Sequence, residues 1–502
     1  MRSSSVRLPP SASGGRKWLE LAALLVLAAA LRVPGLRYGL PFPLLNPDEL
    51  SIVPRGWALA HGGGLDPGWY DYPSLLFTLL APFQLFADVP SYAAARAVAA
   101  AIGIAGVPAA WWLGRVAYGP VAGVVAGASV AVATVHVAYS HVAVTDVLLT
   151  TLVTAALALA VQGRLEWAGV AAGLAASAKY PGVFLAAPLL AVGWREWRRL
   201  ATAAALAVLA FVLTSPFVVW HAGTAWEDIS RVQRLAAEGW LGFEHDHPTP
   251  LAFLDRLWES LGPALLVALV GLALAVRALV LKQHKLFGSR SASARSSRSN
   301  VAREDLVLEQ HKVFAQRADL ALAVFALAYF AYLLTLDAHF DRYVLPLVPV
   351  LGALAGRVRP LAAVALVLLA VPLAWSIGDV RELTRTDTRL VARDWIERNI
   401  PAEARVAVEP STPPLGERTA LRLELPGPGR RTDANREVER LRALGIDYVL
   451  VTGAVADRVL AAADRYPAEA LFYAELETGA ARLLRVEPGG ALAGPWVTLY
   501  RL

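Results

Sequence analysis

Two carboxylates stand side by side in the stretch GLPFPLLNPDEL, residues 39–50: Asp48 and Glu49. They follow an apolar run, so they sit where a membrane-embedded chain would leave the lipid. A carboxylate in that place can take a proton from a hydroxyl or stabilise positive charge at a carbon. It can also simply mark the exit. Three further turns carry ionisable groups: Asp146 in HVAVTDVLLT, Lys179 in SAKYPG, and Asp337, His339, Asp341 and Arg342, with Tyr343 beside them, in LDAHFDRYVLP. Ionisable side chains at membrane depth are costly and usually functional. His136, between Val135 and Val137, is an exception that reads better as a hydrogen-bonded packing residue than as a proton relay.

The elements that would position these groups follow from composition. The chain has 502 residues, 56% hydrophobic and 18% charged, with mean hydropathy +0.48, whereas soluble domains carry roughly a quarter charged residues. This is a membrane composition. Cysteine is absent, which excludes disulfides, thiolate catalysis and cysteine-bound metal. The net charge of +6 is not gathered in one patch, so nucleic acid is not an expected partner.

Apolar runs near residues 18–36, 93–117, 120–142, 147–162, 199–220, 260–281, 319–336 and 360–380 are long enough to span, given a need for about 20 apolar residues. The run 167–194 breaks at Lys179–Gly182 into two short spans, and the short run 343–356 adds another, giving about eleven. With the N-terminus inside, Arg16, Lys17, Arg115, Arg164, Arg195, Arg198, Arg199, the basic segment Lys282–Arg317, Arg357 and Arg359 all fall on the cytoplasmic side. The ionisable turns then share the outer face. The expected organisation is a cytoplasmic tail 1–17, a multi-span region 18–383 with a first outer loop 37–92 and a basic inner loop 282–318, and a small outer α/β domain 384–502. The serine-rich stretch 288–300 of the basic inner loop reads as a disordered cytoplasmic linker.

In the first loop, 48–60 and 73–87 read as helices lying in the interface, with Trp57, Trp69, Tyr70 and Tyr72 at headgroup depth. After Asp387, DTRLVARDWIERNIP reads as a capped helix stopped by Pro401. RVAVE, DYVLV, RLLRV and WVTLY read as strands, with a helix near 455–466. Glu409 and Thr452 end two of those strands, where open α/β sheets bind ligands.

The ordered set LRVPGLRYGLPFPLLNPDEL, AVTDVLLT, GLAASAKYPG, FDRYVLPLVP and DTRLVARDWIERNIP resembles the GT-C superfamily of membrane glycosyltransferases. Within it, the chain is most similar to family 39, the protein mannosyltransferase-like and aminoarabinose transferase-like branch. The resemblance implies a polytopic α-helical enzyme of the cell membrane that moves a sugar from a polyprenyl-phosphate donor to an envelope acceptor on the outer face. It places the catalytic acids on Asp48, Glu49 and Asp146, and the lipid-phosphate contacts on Lys179 and, more loosely, Arg342 with Tyr343. No cofactor is required by it, although a divalent metal bound by the three acids is compatible. Two departures are evident: the lumenal β-trefoil of eukaryotic protein mannosyltransferases is missing, and Ser74 follows Pro73 where many bacterial members have a second proline. The alternatives are a flippase for lipid-linked sugars and a polytopic scaffold. Glu49 has a second reading, as a carboxylate in the first turn of the interfacial helix.

Overall fold

The computed structural model describes residues 13–288 and 303–502. The serine-rich stretch and most of the N-terminal tail lie outside the described residues. Among the described residues five helices are long and apolar enough to cross a membrane: Tyr92–Tyr118, Trp197–Thr214, Ala264–Leu281, Val313–Leu333 and the jointed Arg359–Glu382. Shorter apolar helices, Pro120–Val132, Thr145–Val161 and Tyr180–Gly193, pack among them, and Ser13–Arg32 leads into the first loop.

Close helix packing follows from small residues. Gly169 and Gly173 on Leu165–Ala178 lie directly against the backbone carbonyls of Ala203 and Ala207 on Trp197–Thr214. A Cβ at either glycine would collide with that backbone, so the two helices approach as small-residue pairs do in lipid. Where one helix must follow another immediately, Tyr118–Gly119–Pro120 makes the turn. Gly119 adopts φ +100°, and Pro120 opens the next helix.

That next helix breaks at Ala133 and resumes as Thr134–Tyr139. The break frees carbonyls in the interior, and each must find a donor. Arg32, fully buried, donates to the carbonyls of Val130 (2.7 Å) and Ala131 (2.9 Å), and Ser376 donates to that of Val132 (2.9 Å). The same guanidinium meets His136 Nδ1 at 3.0 Å. His136 is therefore part of a packed hydrogen-bonded joint.

The first loop carries the helix Glu49–Ala60, then Leu75–Leu80 and the 3₁₀ turn Ala81–Phe83. The six-residue helix rises only about 9 Å, far short of the roughly 30 Å hydrocarbon core. This segment does not span.

Beyond Glu382 the chain forms β1 (Thr386–Asp387), β2 (Val406–Val408), β3 (Thr419–Arg422), β4 (Tyr448–Thr452), β5 (Ala481–Val486), β6 (Leu492–Ala493) and β7 (Val497–Arg501). β1 pairs with β6; the other five form one sheet in the order β3-β2-β4-β7-β5. β3, β2 and β4 are parallel, and β7 runs antiparallel to β4 and β5. The valines of β2 and β4 are buried on both faces, with Ala392 and Ile396 of the helix Thr388–Asn399 on one side and Phe472 and Leu476 of the helix Pro467–Gly479 on the other. Asp387 caps Thr388–Asn399 by accepting from the Arg389 amide.

Candidate active site

Asn46 and Pro47 set the position of Asp48. The Asn46 Oδ1 accepts from the Asp48 amide at 2.9 Å, a local turn that asparagine favours, and the helix Glu49–Ala60 begins at the next residue. The Asp48 carboxylate accepts two side-chain hydrogen bonds on Oδ2, from Arg342 Nη1 at 2.7 Å and from the Tyr72 hydroxyl at 2.9 Å. Arg342 sits in the 3₁₀ turn Asp341–Val344, nearly three hundred residues away in sequence. Its amide donates to Asp341 Oδ1, which also receives the Tyr139 hydroxyl at 2.8 Å.

Lys179 lies at the break between Leu165–Ala178 and the 3₁₀ turn Tyr180–Leu185, where its extended backbone (φ −158°, ψ 137°) interrupts the helical run. Its ammonium meets Asp146 Oδ1 at 2.5 Å and lies over the rings of Tyr72 (5.5 Å) and Tyr343 (5.3 Å). Asp146 is in the first turn of Thr145–Val161. The two ion pairs thus share Tyr72 and Tyr343 as neighbours, and four of the sequence candidates converge with Tyr343 as the fifth.

Two polar atoms in this cluster lack partners among the described residues. Asp146 Oδ2 and Arg342 Nε are buried with no hydrogen bond. A buried unpaired acceptor and a buried unpaired donor are each unfavourable unless a ligand completes them. Burial alone would push the Asp48 carboxyl up, but Arg342, the Tyr72 hydroxyl and the Lys179 charge outweigh it and hold the group below the usual carboxylate range. Burial, then the Asp48 charge, pushes the Tyr72 phenol well above its ordinary value, so it stays a donor.

Glu49 goes elsewhere. It is fully buried, and Arg96 holds it bidentately at 2.9 and 2.7 Å while the Ala143 amide donates to it at 3.0 Å. Arg96 in turn donates to the Tyr38 carbonyl at 2.7 Å. This departs from the catalytic expectation for Glu49, and it also means that its carboxylate spends itself on a neighbouring helix and turn rather than on its own helix start. Because Glu49 is committed in this way, the three acids do not converge as a metal site. Among the described residues no group of three or more potential ligands is placed to hold a metal ion. Asp337 and His339 also lie apart from the cluster: His339 bonds Asp246 (3.1 Å) and Thr249 (3.3 Å), and Asp337 contacts Thr249.

A cavity of about 200 Å³ opens beside Lys179, walled by Tyr72, Phe184, Tyr329, Tyr332 and Tyr343. Sequence reasoning missed Tyr72 as a site residue because an aromatic in a turn-rich first loop reads as a membrane-interface anchor. It also missed Arg96, whose apolar surroundings in YAAARAVAAA hide the need for a buried partner. An arginine inside such a run was the available signal.

In the C-terminal domain Glu409 and Thr452 do meet. Glu409 accepts from the Thr452 amide (3.0 Å), the Tyr473 hydroxyl (2.5 Å) and Arg436 (2.8 Å), and both members of the Glu409–Arg436 pair are buried. The strand ends are closed by an internal ion pair.

Comparison with known proteins agrees with this architecture. A model of glycosyltransferase family 87 matches residues 69–302, just under half of the chain. That stretch contains Tyr72, Arg96, Asp146 and Lys179, but not Asp48 or Arg342. ArnT from Cupriavidus metallidurans bound to undecaprenyl phosphate is similar in structure at 15% identity and TM-score 0.53, covering 97% of this chain and 98% of that one. Its apo form is similar at 16% identity and TM-score 0.55, with the same coverage. The archaeal oligosaccharyltransferase AglB from Archaeoglobus fulgidus, in complex with an inhibitory peptide and a dolichol-phosphate, is similar at 14% identity and TM-score 0.51, covering 94% of this chain and 73% of that one. A search of curated protein sequences gave no match. The chain has the GT-C fold and is a multi-pass membrane protein. Within that superfamily the sequence match is to family 87 rather than family 39, so the finer family reading from sequence is approximate.

Proposed function

We propose that the protein is a glycosyltransferase that moves a sugar from a polyprenyl-phosphate donor to an acceptor hydroxyl on the extracytoplasmic face of the membrane. The observation that carries this reading is the double ion pair, Asp48–Arg342 and Lys179–Asp146, beside an aromatic cavity, with one buried donor atom and one buried acceptor atom left open. An anionic phosphate bearing a hydroxyl-rich sugar supplies both missing partners. The likeness to structures that hold undecaprenyl phosphate and dolichol-phosphate supports the same donor class.

In the reaction the acceptor oxygen bonds to the anomeric carbon as the bond from that carbon to phosphate oxygen breaks. The acceptor proton goes to Asp48, and the electron pair leaves with the phosphate. Lys179 and Arg342 face the charge that grows on the leaving group, which stabilises the transition state more than the ground state. Asp146 Oδ2 accepts a hydroxyl of the sugar. Arrival of the phosphate also competes for Arg342 and Lys179, so the proton affinity of Asp48 rises when it is needed.

The proposed sidedness rests on charge. At the end of the bundle away from the site, Arg199 pairs with Glu166 (2.7 Å) and Glu196 (2.7 Å), Arg317 with Glu196 (2.9 Å), and Arg357 with Asp319 (2.7 Å). These are helix-borne arginines that the retention of positive charge assigns to the cytoplasmic side. The C-terminal domain then lies outside with the site.

The test is release of free polyprenyl phosphate by purified protein in lipid, from a panel of polyprenyl-phosphate sugars with envelope extract as acceptor. Acceptor-dependent release is expected. No release across a panel that serves a control transferase would overturn the reading.

A further inference from the structure

The Asp48–Arg342 pair, itself lining neither cavity, is flanked by residues that line two different ones, an arrangement that makes it a partition. On one side is the aromatic cavity with Lys179; on the other is a second cavity of about 370 Å³. The chain crosses the partition at consecutive residues: Asp341 lines the second cavity and Tyr343 lines the first, with Arg342 between them. Asp48 is bridged in the same manner. Tyr72, which donates to its carboxylate, lines the first cavity, and Asn46, which accepts from its amide, lines the second.

The two chambers differ in charge. The first contains the ammonium of Lys179. The second is lined by Asp341, Asp379 and Glu382 over an apolar floor of Val137, Val142 and Val380, and no lysine or arginine is among the described residues that line it. Its one histidine, His141, has its two ring nitrogens 2.9 Å from the carbonyls of Val137 and Pro34, and as a neutral imidazole it donates to one of them. Glu382 pairs with Arg385 at the rim, whereas Asp379 is exposed and makes no side-chain hydrogen bond among the described residues.

We infer that this second cavity receives the acceptor, and that its reacting end is a polyol or aminosugar carrying no negative charge near the attacked hydroxyl. The inference rests on the proposed transferase reading. Three carboxylates around one small chamber repel an anionic headgroup and attract hydroxyl and ammonium donors, and such complementarity selects partners by sign. The phosphate-bearing donor is directed to the opposite chamber by the same rule. A base standing in the wall between the two reaches the acceptor proton from one side while the donor's anomeric carbon approaches from the other.

The experiment uses the full chain in lipid with three matched probe acceptors: octyl glucoside, octyl glucosaminide and octyl glucoside 6-phosphate. Each is assayed as a substrate and as an inhibitor of transfer to envelope extract. The neutral and amino probes should act at least about tenfold better than the phosphorylated one, from the repulsion of like charges in a half-buried site. The double variant D379N/E382Q, which alters no residue of the Asp48–Arg342 and Lys179–Asp146 pairs, should narrow that ratio several-fold by raising use of the phosphorylated probe relative to the neutral one. Equal or better use of the phosphorylated probe, an unchanged ratio in the double variant, or failure of all three probes to react or inhibit would overturn the inference. Absence of polyprenyl phosphate release even with envelope extract would instead overturn the transferase reading on which it rests.

Discussion

At the scale of single residues, the site separates two adjacent carboxylates into different tasks. Asp48 faces Arg342 and Tyr72, while Glu49 faces Arg96 and the Ala143 amide. Because the Asp48 carboxyl is held below its usual range, it is already deprotonated in the free protein at ordinary acidity. The acid limb of kcat/KM should therefore lie below the unperturbed aspartate value of about 3.9. The kcat limb should lie higher, since bound phosphate competes for the cations. Arg342→Gln should move the kcat/KM limb upward, and a pH–rate profile of both parameters checks this. The linkage to stability has the matching sign: a depressed carboxyl contributes stability that is present above about pH 3.9 and lost as pH falls through the folded value. Lys179→Met should weaken donor use by roughly 10- to 100-fold in KM, the range for removing a hydrogen bond to a charged group. Steady-state kinetics against polyprenyl-phosphate sugar measures it, and an unchanged KM would remove Lys179 from phosphate binding.

At the scale of elements, the groups of the candidate site sit where helices break or begin. Asp48 precedes a helix, Asp146 opens one, Lys179 occupies the extended joint between two, and Arg342 lies in a 3₁₀ turn. That much was legible in sequence, because acids and bases at the ends of apolar runs stand out against the lipid composition around them. The partners of those residues were not legible. Arg96 lies within a long apolar helix and meets a carboxylate 47 positions earlier, a pairing that no local pattern encodes. Tyr72 carries an interface residue's signature and turns inward to Asp48. Glu49→Gln should leave Arg96 with an uncompensated buried charge. This costs about 3–5 kcal/mol for a broken buried pair, read as a lower thermal midpoint with kcat little changed in the protein that remains folded. A normal midpoint with lost turnover would return Glu49 to a catalytic role.

At the scale of the whole molecule, the C-terminal domain is tied to the loop that carries Asp48. Arg389, paired with Asp387 at 2.6 Å, donates to the Leu44 carbonyl at 2.9 Å, four residues before Asp48. The four strands read from RVAVE, DYVLV, RLLRV and WVTLY join one sheet, since their alternation of apolar residues is local information. β3 and the helix Pro467–Gly479 were missed: LR and LFYAELE carry weaker patterns, and their placement depends on the neighbouring strands. Arg389→Ala should lower turnover several-fold and lower the thermal midpoint, because the loop bearing Asp48 loses its anchor. A variant with wild-type kinetics would show that the domain does not support the loop. The central claim is that Asp48 takes the acceptor proton. It is tested most directly by comparing polyprenyl phosphate release by wild type and Asp48→Asn, at matched protein level and thermal midpoint. The account predicts a fall of at least about 10²-fold, the lower range for loss of a positioned base; near-normal release from the variant would contradict it.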